Sequence, residues 1–233
     1  MIRFILLDIE GTTTDIDFVH QVLFPYAAER LSEFVNTNTR STEVQHCLNQ
    51  VKETVETEDQ RAIGKAEAIE TLLQWIKTDR KHSALKQLQG LIWKIGFEEG
   101  HYQGHVYPDV PVALERWKQQ GLGLGIYSSG SVQAQQLLFS YSVFGDLTPY
   151  FSHYFDTEVG GKKEVQSYQN ISQSLNLHPS DILFLSDVVA ELNAAKAAGF
   201  QVTQLLRSKS MQAGSHPTAT DFASLLASPA NFI

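Results

Sequence analysis

Three times in this chain a short apolar run stops at a side chain that carries oxygen. Phe4-Ile5-Leu6-Leu7 ends at Asp8, Leu122 to Tyr127 ends at Ser128, and Ile182 to Leu185 ends at Ser186-Asp187. Runs this short, bounded by polar residues, are predicted buried strands. Helical spacing follows the second and third, over Val132 to Tyr141 and Val188 to Ala198, the latter stopped by Gly199. A short strand at Tyr154 to Asp156 and a last one at Gln201 to Leu206 complete the set, with helices over Val110 to Gln120 and Lys163 to Leu175. Strands alternating with helices make βαβ units and a parallel sheet. In such a sheet all three oxygen-bearing ends fall on the carboxyl edge, where open α/β sheets hold ligands.

The first strand is separated from the second by a long stretch of a different kind. Val19 to Val35, Glu43 to Val55, Lys65 to Lys77 and Ser83 to Glu99 read as four successive amphipathic helices with no convincing strand among them. Pro25 marks a break or a kink near the start of the first. Ser83 is the expected N-cap of the fourth, and Gly90 and Gly96 are expected to interrupt it. The fold class is therefore α/β, a Rossmann-like parallel-sheet core carrying an inserted all-helical unit. The expected division is 1–16 with 108–233 for the core and 17–107 for the insert. A chain of 233 residues with 42% apolar and 19% charged content can build both.

The formal net charge of −8 argues against nucleic acid and anionic membrane as partners. It also means that a phosphorylated ligand needs local positive charge. No stretch is apolar enough to span a membrane, and the N-terminal apolar run is too short for a signal peptide. The single cysteine, Cys47, has no disulfide partner, which fits a reducing, cytoplasmic setting.

Asp8 with Glu10, Ser128 with Ser129, and Asp187 are the candidate site residues. A strand-end carboxylate such as Asp8 can attack phosphorus if a cation screens it from the phosphate. Asp8 and Asp187 brought together would repel, so their convergence calls for a divalent cation. An oxygen donor set with open positions points to Mg²⁺. Ser128 and Ser129 precede a helix N-terminus and can hold phosphate oxygens with the local N–H groups. Lys162 follows Gly160-Gly161 where a helix is expected to begin, a place where a cation opposes the macrodipole unless it faces an anion. Lys163 competes for this role, and spacing does not separate the two. Taken singly, each residue has an ordinary structural use. Asp8, Asp187 and the Ser-Ser-Gly-Ser run make good caps, a lysine is a usual surface residue, and Glu191, a turn beyond Asp187, reads as a solvated face.

Other signals fail. Gly121-Leu122-Gly123-Leu124-Gly125 has the look of a dinucleotide fingerprint but precedes its strand instead of following one. His101 and His105 are four apart, yet Gly104 between them argues against a metal-binding helix.

With these residues in place the chain resembles the haloacid dehalogenase-like phosphohydrolases. Asp8, Ser128, Lys162 and Asp187 stand in the order and context of that superfamily's nucleophile, Ser/Thr, Lys and late acidic motifs. The common pattern has Asp two residues after the nucleophile; this chain has Glu10. That departure, within Asp8-Ile9-Glu10-Gly11-Thr12-Thr13, resembles the enolase-phosphatase (acireductone synthase) branch of methionine salvage. Ile126 to Val132, Phe184 to Asp187, Leu85 to Gly90, and Lys162 five residues before Ser167-Tyr168 are similar to the same branch. The resemblance implies a haloacid dehalogenase-like core with a helical cap, and a monomeric enzyme using one Mg²⁺ per chain. It implies a small phosphorylated substrate, a diketo-methylthiopentyl phosphate that is enolised and then dephosphorylated. It also implies that Asp8 and Glu10 are catalytic, and that Asp8, Asp187 and the main-chain carbonyl of Glu10 hold the metal. Ser128, Ser129 and Lys162 would bind substrate. A generic phosphatase of the same fold, or a non-catalytic phosphate-binding module, are the competing expectations.

Overall fold

Six strands, β1 (Phe4–Leu7), β2 (Gly123–Tyr127), β3 (His153–Phe155), β4 (Ile182–Ser186), β5 (Gln201–Leu205) and β6 (Thr218–Ala219), pair in parallel in the order β3-β2-β1-β4-β5-β6. The structure is a computed structural model and describes residues 1–227. β1 lies at the centre, with Leu7 opposite Ile126 of β2 and Leu185 of β4. The chain works outward from β1 to β3, then returns to the other side of β1 at β4. The strand order therefore reverses between β1 and β4, which makes the crevice beyond their carboxyl ends the expected ligand site.

Every side chain of β1 and β4 is buried. That is the signature of a sheet covered on both faces, and it explains why these strands read as unbroken apolar runs. Phe4, Leu6, Tyr127, Phe184 and Ile182 share one packed layer with Tyr168 and Ile171 of α8 (Val165–Leu175) and Leu192 and Ala195 of α9 (Val189–Ala197). Burying a side chain of this size contributes about 1.5–3 kcal/mol. The glycine-rich run before and within β2 has a packing role: a Cβ on Gly123 or Gly125 would overlap the ring of Phe4.

The structure divides into two compact units, Met1–Ile16 with Gln103–Ile233, and Asp17–Tyr102. The second is wholly helical. A single turn, α1 (Ile16–Phe18), leads into a π-helical turn over Val19–Leu23 and then α2 (Phe24–Thr37). α3 (Thr42–Asp59), α4 (Lys65–Lys77) and α5 (Ser83–Glu98) follow. At Pro25 the helix is irregular but does not stop. The Phe24 N–H reaches back five residues to the Val19 carbonyl, so the ladder is re-spaced just before the residue that has no N–H to give. α5 runs unbroken through Gly90 and Gly96, and its N-cap is His82, not Ser83. The return to the core comes earlier than Tyr107. Gly104 N–H donates to the Tyr141 carbonyl at 2.8 Å, its own carbonyl accepts from Val143, and Tyr107 N–H donates to the Thr13 carbonyl at 3.0 Å. These bonds bring residues 103–107 into the core unit.

Among the elements flanking the site, α6 (Asp109–Gln119) ends before Gly121, whose φ is +78°. α7 (Val132–Ser140) begins after Ser131, whose hydroxyl accepts from the Ala134 N–H. The helix expected from Lys163 begins only at Val165, so Lys162 lies in the turn ahead of it. β6 has two residues and no apolar run to announce it; α10 (Phe222–Ala227) closes the described chain.

Candidate active site

Asp8 is the first residue beyond β1, and its N–H still bonds the Leu185 carbonyl of β4 at 2.9 Å. The residue is 2% exposed. One carboxylate oxygen, Oδ1, accepts from the Ile9 N–H at 2.7 Å and from Lys162 Nζ at 2.5 Å. The other, Oδ2, lies 3.0 Å from the Ser186 hydroxyl. Lys162 reaches this point from the Gly160-Gly161 turn, and its Nζ also lies 2.7 Å from Glu191 Oε2. Ser186 Oγ is 3.1 Å from the same Glu191 oxygen and accepts the Val188 N–H. The Lys162 carbonyl is fixed in turn by the Tyr168 hydroxyl at 2.6 Å.

Two expectations are corrected here. Lys162 is not a helix N-terminal cation, because α8 begins at Val165; it is held by Asp8 and Glu191. Lys163 is exposed, so geometry separates the two lysines where spacing did not. Glu191 is not a solvated face. It is 7% exposed and turned toward the sheet edge, where it is the second carboxylate on Lys162.

Burial works to strip the proton from Lys162, but Asp8 and Glu191 outweigh it and hold the ammonium well above the usual lysine range. Burial raises the Glu191 carboxyl, and the charge of Asp8 adds to this while Lys162 opposes it. Asp187, the residue after β4, is pushed up to about 6, first by burial and then by the negative charge of Asp8. Its Oδ1 is buried and has no hydrogen-bond partner among the described residues. Asp8 and Glu191 share the ammonium of Lys162, while Asp187 sits in the negative field of Asp8 and, to a smaller extent, of Glu10.

Glu10 lies on the turn that follows Asp8, with Oε2 3.5 Å from the Ser128 hydroxyl. The turn is tightly bonded. The Ile9 carbonyl accepts from the N–H groups of Thr12, Thr13 and Thr14, Gly11 N–H donates to the Thr14 carbonyl, and Thr13 Oγ1 donates to the Asp8 carbonyl. Gly11 has φ +70°, and any Cβ there would overlap the Asp187 carboxylate. The turn thus needs glycine for its backbone and for its contact with Asp187. Ser128 is buried and Ser129 exposed at the approach to α7.

The donor set fits a hard cation. Among the described residues no three carboxylate, imidazole or thiol side chains converge tightly enough to hold a metal alone. Asp8, Asp187 and a turn carbonyl leave several positions for water and phosphate, which is how Mg²⁺ is usually held. The orphaned Asp187 oxygen, and the negative field of Asp8 on it, are what such an ion would satisfy.

A buried strand-end carboxylate, a lysine and a second acid lie at the switch point of a Rossmann-like sheet. The model of a hydrolase family, the haloacid dehalogenase-like hydrolases, matches residues 2–199. The chain belongs to that family. Two relatives called enolase-phosphatase E1 are 48% identical over 225 residues (from a Picosynechococcus species, 97% of this chain and 98% of the relative) and 52% identical over 222 residues (from Klebsiella oxytoca, 95% and 96%). The crystal structure of the UTR4 protein of Saccharomyces cerevisiae is 33% identical, with a TM-score of 0.77 over 96% of this chain and 100% of that one. This member of the family is an enzyme, a phosphatase, and resembles the enolase-phosphatases along nearly its whole length. No helix among its described residues is long and apolar enough to cross a membrane.

Asp8, Ser128, Lys162 and Asp187 were readable because each ends or precedes an element. Ser186 and Glu191 were missed as partners of that set. The signal available for Glu191 was its position: one turn after Asp187, on a helix packed against β4 and β5 by Leu192 and Ala195. His101 and His105 form no pair. His101 Nδ1 meets the Tyr26 hydroxyl in the helical unit, whereas His105 Nδ1 accepts from the Asp15 N–H in the core.

Proposed function

We propose that this phosphatase is a Mg²⁺-dependent enolase-phosphatase of methionine salvage. It would convert 2,3-diketo-5-methylthiopentyl-1-phosphate to the acireductone 1,2-dihydroxy-3-keto-5-methylthiopentene and phosphate. The observation that carries the reading is Asp8: a buried strand-end carboxylate gripped by Lys162 on one oxygen and Ser186 on the other, beside the orphaned Asp187. The name that its relatives share, and the Glu10 departure, support this choice of substrate.

In this reading an Asp8 oxygen attacks phosphorus as the bond from phosphorus to the substrate oxygen breaks, giving an aspartyl-phosphate. The Glu10 carboxyl gives its proton to the leaving oxygen. The carboxylate so formed takes a proton from water, which attacks phosphorus and frees Asp8. Lys162, Ser128 and Ser129 hold the phosphate oxygens. Asp8, Asp187 and the Glu10 carbonyl would hold one Mg²⁺, which would supply charge neutralisation for the phosphate beside the carboxylates. The helical unit is the cap that selects the methylthio substrate, and the protein works as a cytoplasmic monomer.

The test is phosphate release together with appearance of the acireductone chromophore from the diketo phosphate. Both are expected with Mg²⁺, and neither with excess chelator or in Asp8→Asn. Phosphate release without the chromophore would reduce the reading to a general phosphatase. Full turnover by Asp8→Asn, with deamidation excluded, would remove the nucleophile.

A further inference from the structure

Arg207 follows β5, in a polar tail where the sequence gives it no role. Its side chain is 6% exposed. Nη1 donates to both oxygens of Asp109, at 2.9 and 2.8 Å. Nε and Nη2 converge on a single acceptor, the Thr12 carbonyl, at 2.9 and 2.7 Å. The guanidinium is held between two rings, Tyr107 at 4.3 Å and Phe222 at 4.8 Å. Asp109 is itself fixed by the Phe222 N–H at 2.6 Å. A cation built in this way has no freedom left, and its whole inner edge is spent on one backbone oxygen.

That oxygen belongs to the turn that carries the site. Thr12 follows Gly11, which packs against the Asp187 carboxylate, and Gly11 follows Glu10. Thr13 bonds the carbonyl of Asp8. A shift at Thr12 would therefore move Glu10 and Gly11 through two peptide units and release the contact with Asp187. We propose that Arg207 is a positioning residue for the reaction: its fork on the Thr12 carbonyl fixes Glu10 and the Gly11–Asp187 contact in working register. This rests on the enolase-phosphatase reading for its kinetic consequence but not for its geometric one. Displacements of about 1 Å cost on the order of 10²-fold in rate. Lysine cannot replace the fork, because it has no planar pair of edges with which to bind Asp109 and Thr12 together.

The experiment compares wild type, Arg207→Lys and Leu225→Ala. Leu225 is 3% exposed on α10 and serves as a stability control that leaves the Arg207 side chain itself in place. Kinetics on the diketo phosphate are taken with saturating Mg²⁺, well below each melting temperature. Amide hydrogen exchange over Gly11–Thr14 is measured without substrate or metal. Arg207→Lys is expected to lose ~10²-fold in kcat with KM within about threefold, and to exchange faster at Thr12–Thr14. Leu225→Ala should melt earlier yet keep kcat and that exchange. Wild-type kcat and exchange in Arg207→Lys would overturn the proposal, and so would an equal kcat loss in Leu225→Ala at equal loss of melting temperature. If wild type fails to turn over the diketo phosphate, the functional reading falls. The exchange of Gly11–Thr14 in Arg207→Lys then still decides whether Arg207 holds the turn.

Discussion

The two units deploy their charges in opposite ways. In the helical unit the ion pairs lie outside: Arg61 with Glu67, Lys94 with Glu98, and Arg80 with Glu58 all keep a third or more of their side chains in solvent. In the core, Lys162 with Asp8 and Glu191, and Arg207 with Asp109, are nearly or wholly enclosed. Solvated pairs cost little to form and contribute little. Enclosed ones must offset a desolvation penalty of several kcal/mol per ion, and hydrophobic residues would often serve stability better. The helical unit thus uses charge for solubility. The core keeps buried charge where it has no stabilising need for it, and both instances abut the turn from Asp8 to Thr14.

The sharpest way to break this contrast is to remove the shared cation. Lys162→Ala leaves Asp8 and Glu191 buried without their counter-ion. Breaking a buried pair in this way costs roughly 3–5 kcal/mol, and phosphate turnover should fall below detection. Lys163→Ala and Arg61→Ala, which alter exposed groups, should leave melting temperature and turnover within error. A damaging Lys163→Ala would reverse the assignment made between the neighbouring lysines. A full set of melting curves and phosphate-release rates on the three variants decides it.

Glu10 comes next in expected size. Shortening the side chain withdraws its carboxyl by about 1.5 Å, one carbon–carbon bond. Proton transfer needs heavy atoms about 2.6–3.2 Å apart, so Glu10→Asp should be slow despite unchanged charge, and Glu10→Gln slower still. Both should keep Mg²⁺ affinity, since the expected contact is the main-chain carbonyl. Calorimetric titration of Mg²⁺ beside steady-state turnover separates the roles. Near-normal turnover in Glu10→Gln removes it from proton transfer, and lost Mg²⁺ affinity would make its side chain a ligand.

The same contrast explains what could be read from the sequence. Asp8, Ser128 and Asp187 were visible because each interrupts an apolar run, and a local break in pattern survives without any knowledge of tertiary contacts. The four helices of the insert were visible because their buried stripes, such as Val44, Cys47, Leu48 and Val51, repeat at helical spacing. Glu191, Ser186 and Arg207 were not. Ser186 and Arg207 matter through partners 178 and 195 residues away, and Glu191 through its burial by other elements; a polar or charged residue at such a position has no local mark of being enclosed. Lys162 was found for a reason that the structure replaces, because the turn Gly160-Gly161 hid where the helix begins. Two-residue β6 lacks the length that a period needs.

The smallest effect concerns a charge that the helical unit does not carry at neutral pH. His82 caps α5 with Nδ1, which accepts the Ala84 N–H at 3.2 Å. Nε2 lies 2.9 Å from Thr54 Oγ1, whose own proton is committed to the Gln50 carbonyl at 2.8 Å, so Nε2 must be the donor. The cap works only in the neutral, Nε2–H form, and the ring is packed on Trp75 with centroids 4.5 Å apart. Burial, followed by the nearby Arg80 charge, lowers the His82 pKa below its ordinary value, while Glu58 partly opposes this. The unfolded chain then takes up the proton more readily than the folded one. Stability from this site is present above about pH 6.5 and is lost as pH falls through the depressed folded value. Asn is a good N-cap that does not titrate. His82→Asn should therefore keep the neutral-pH melting temperature and flatten its decline between pH 7 and 5.5. His82→Ala should cost about 1 kcal/mol at pH 7, in line with other N-cap losses. Melting curves across that range, with exchange at the first turn of α5, provide the measurement. Parallel pH slopes for wild type and His82→Asn would mean that the cap does not titrate, and that the helical unit is as indifferent to protons as its exposed ion pairs suggest.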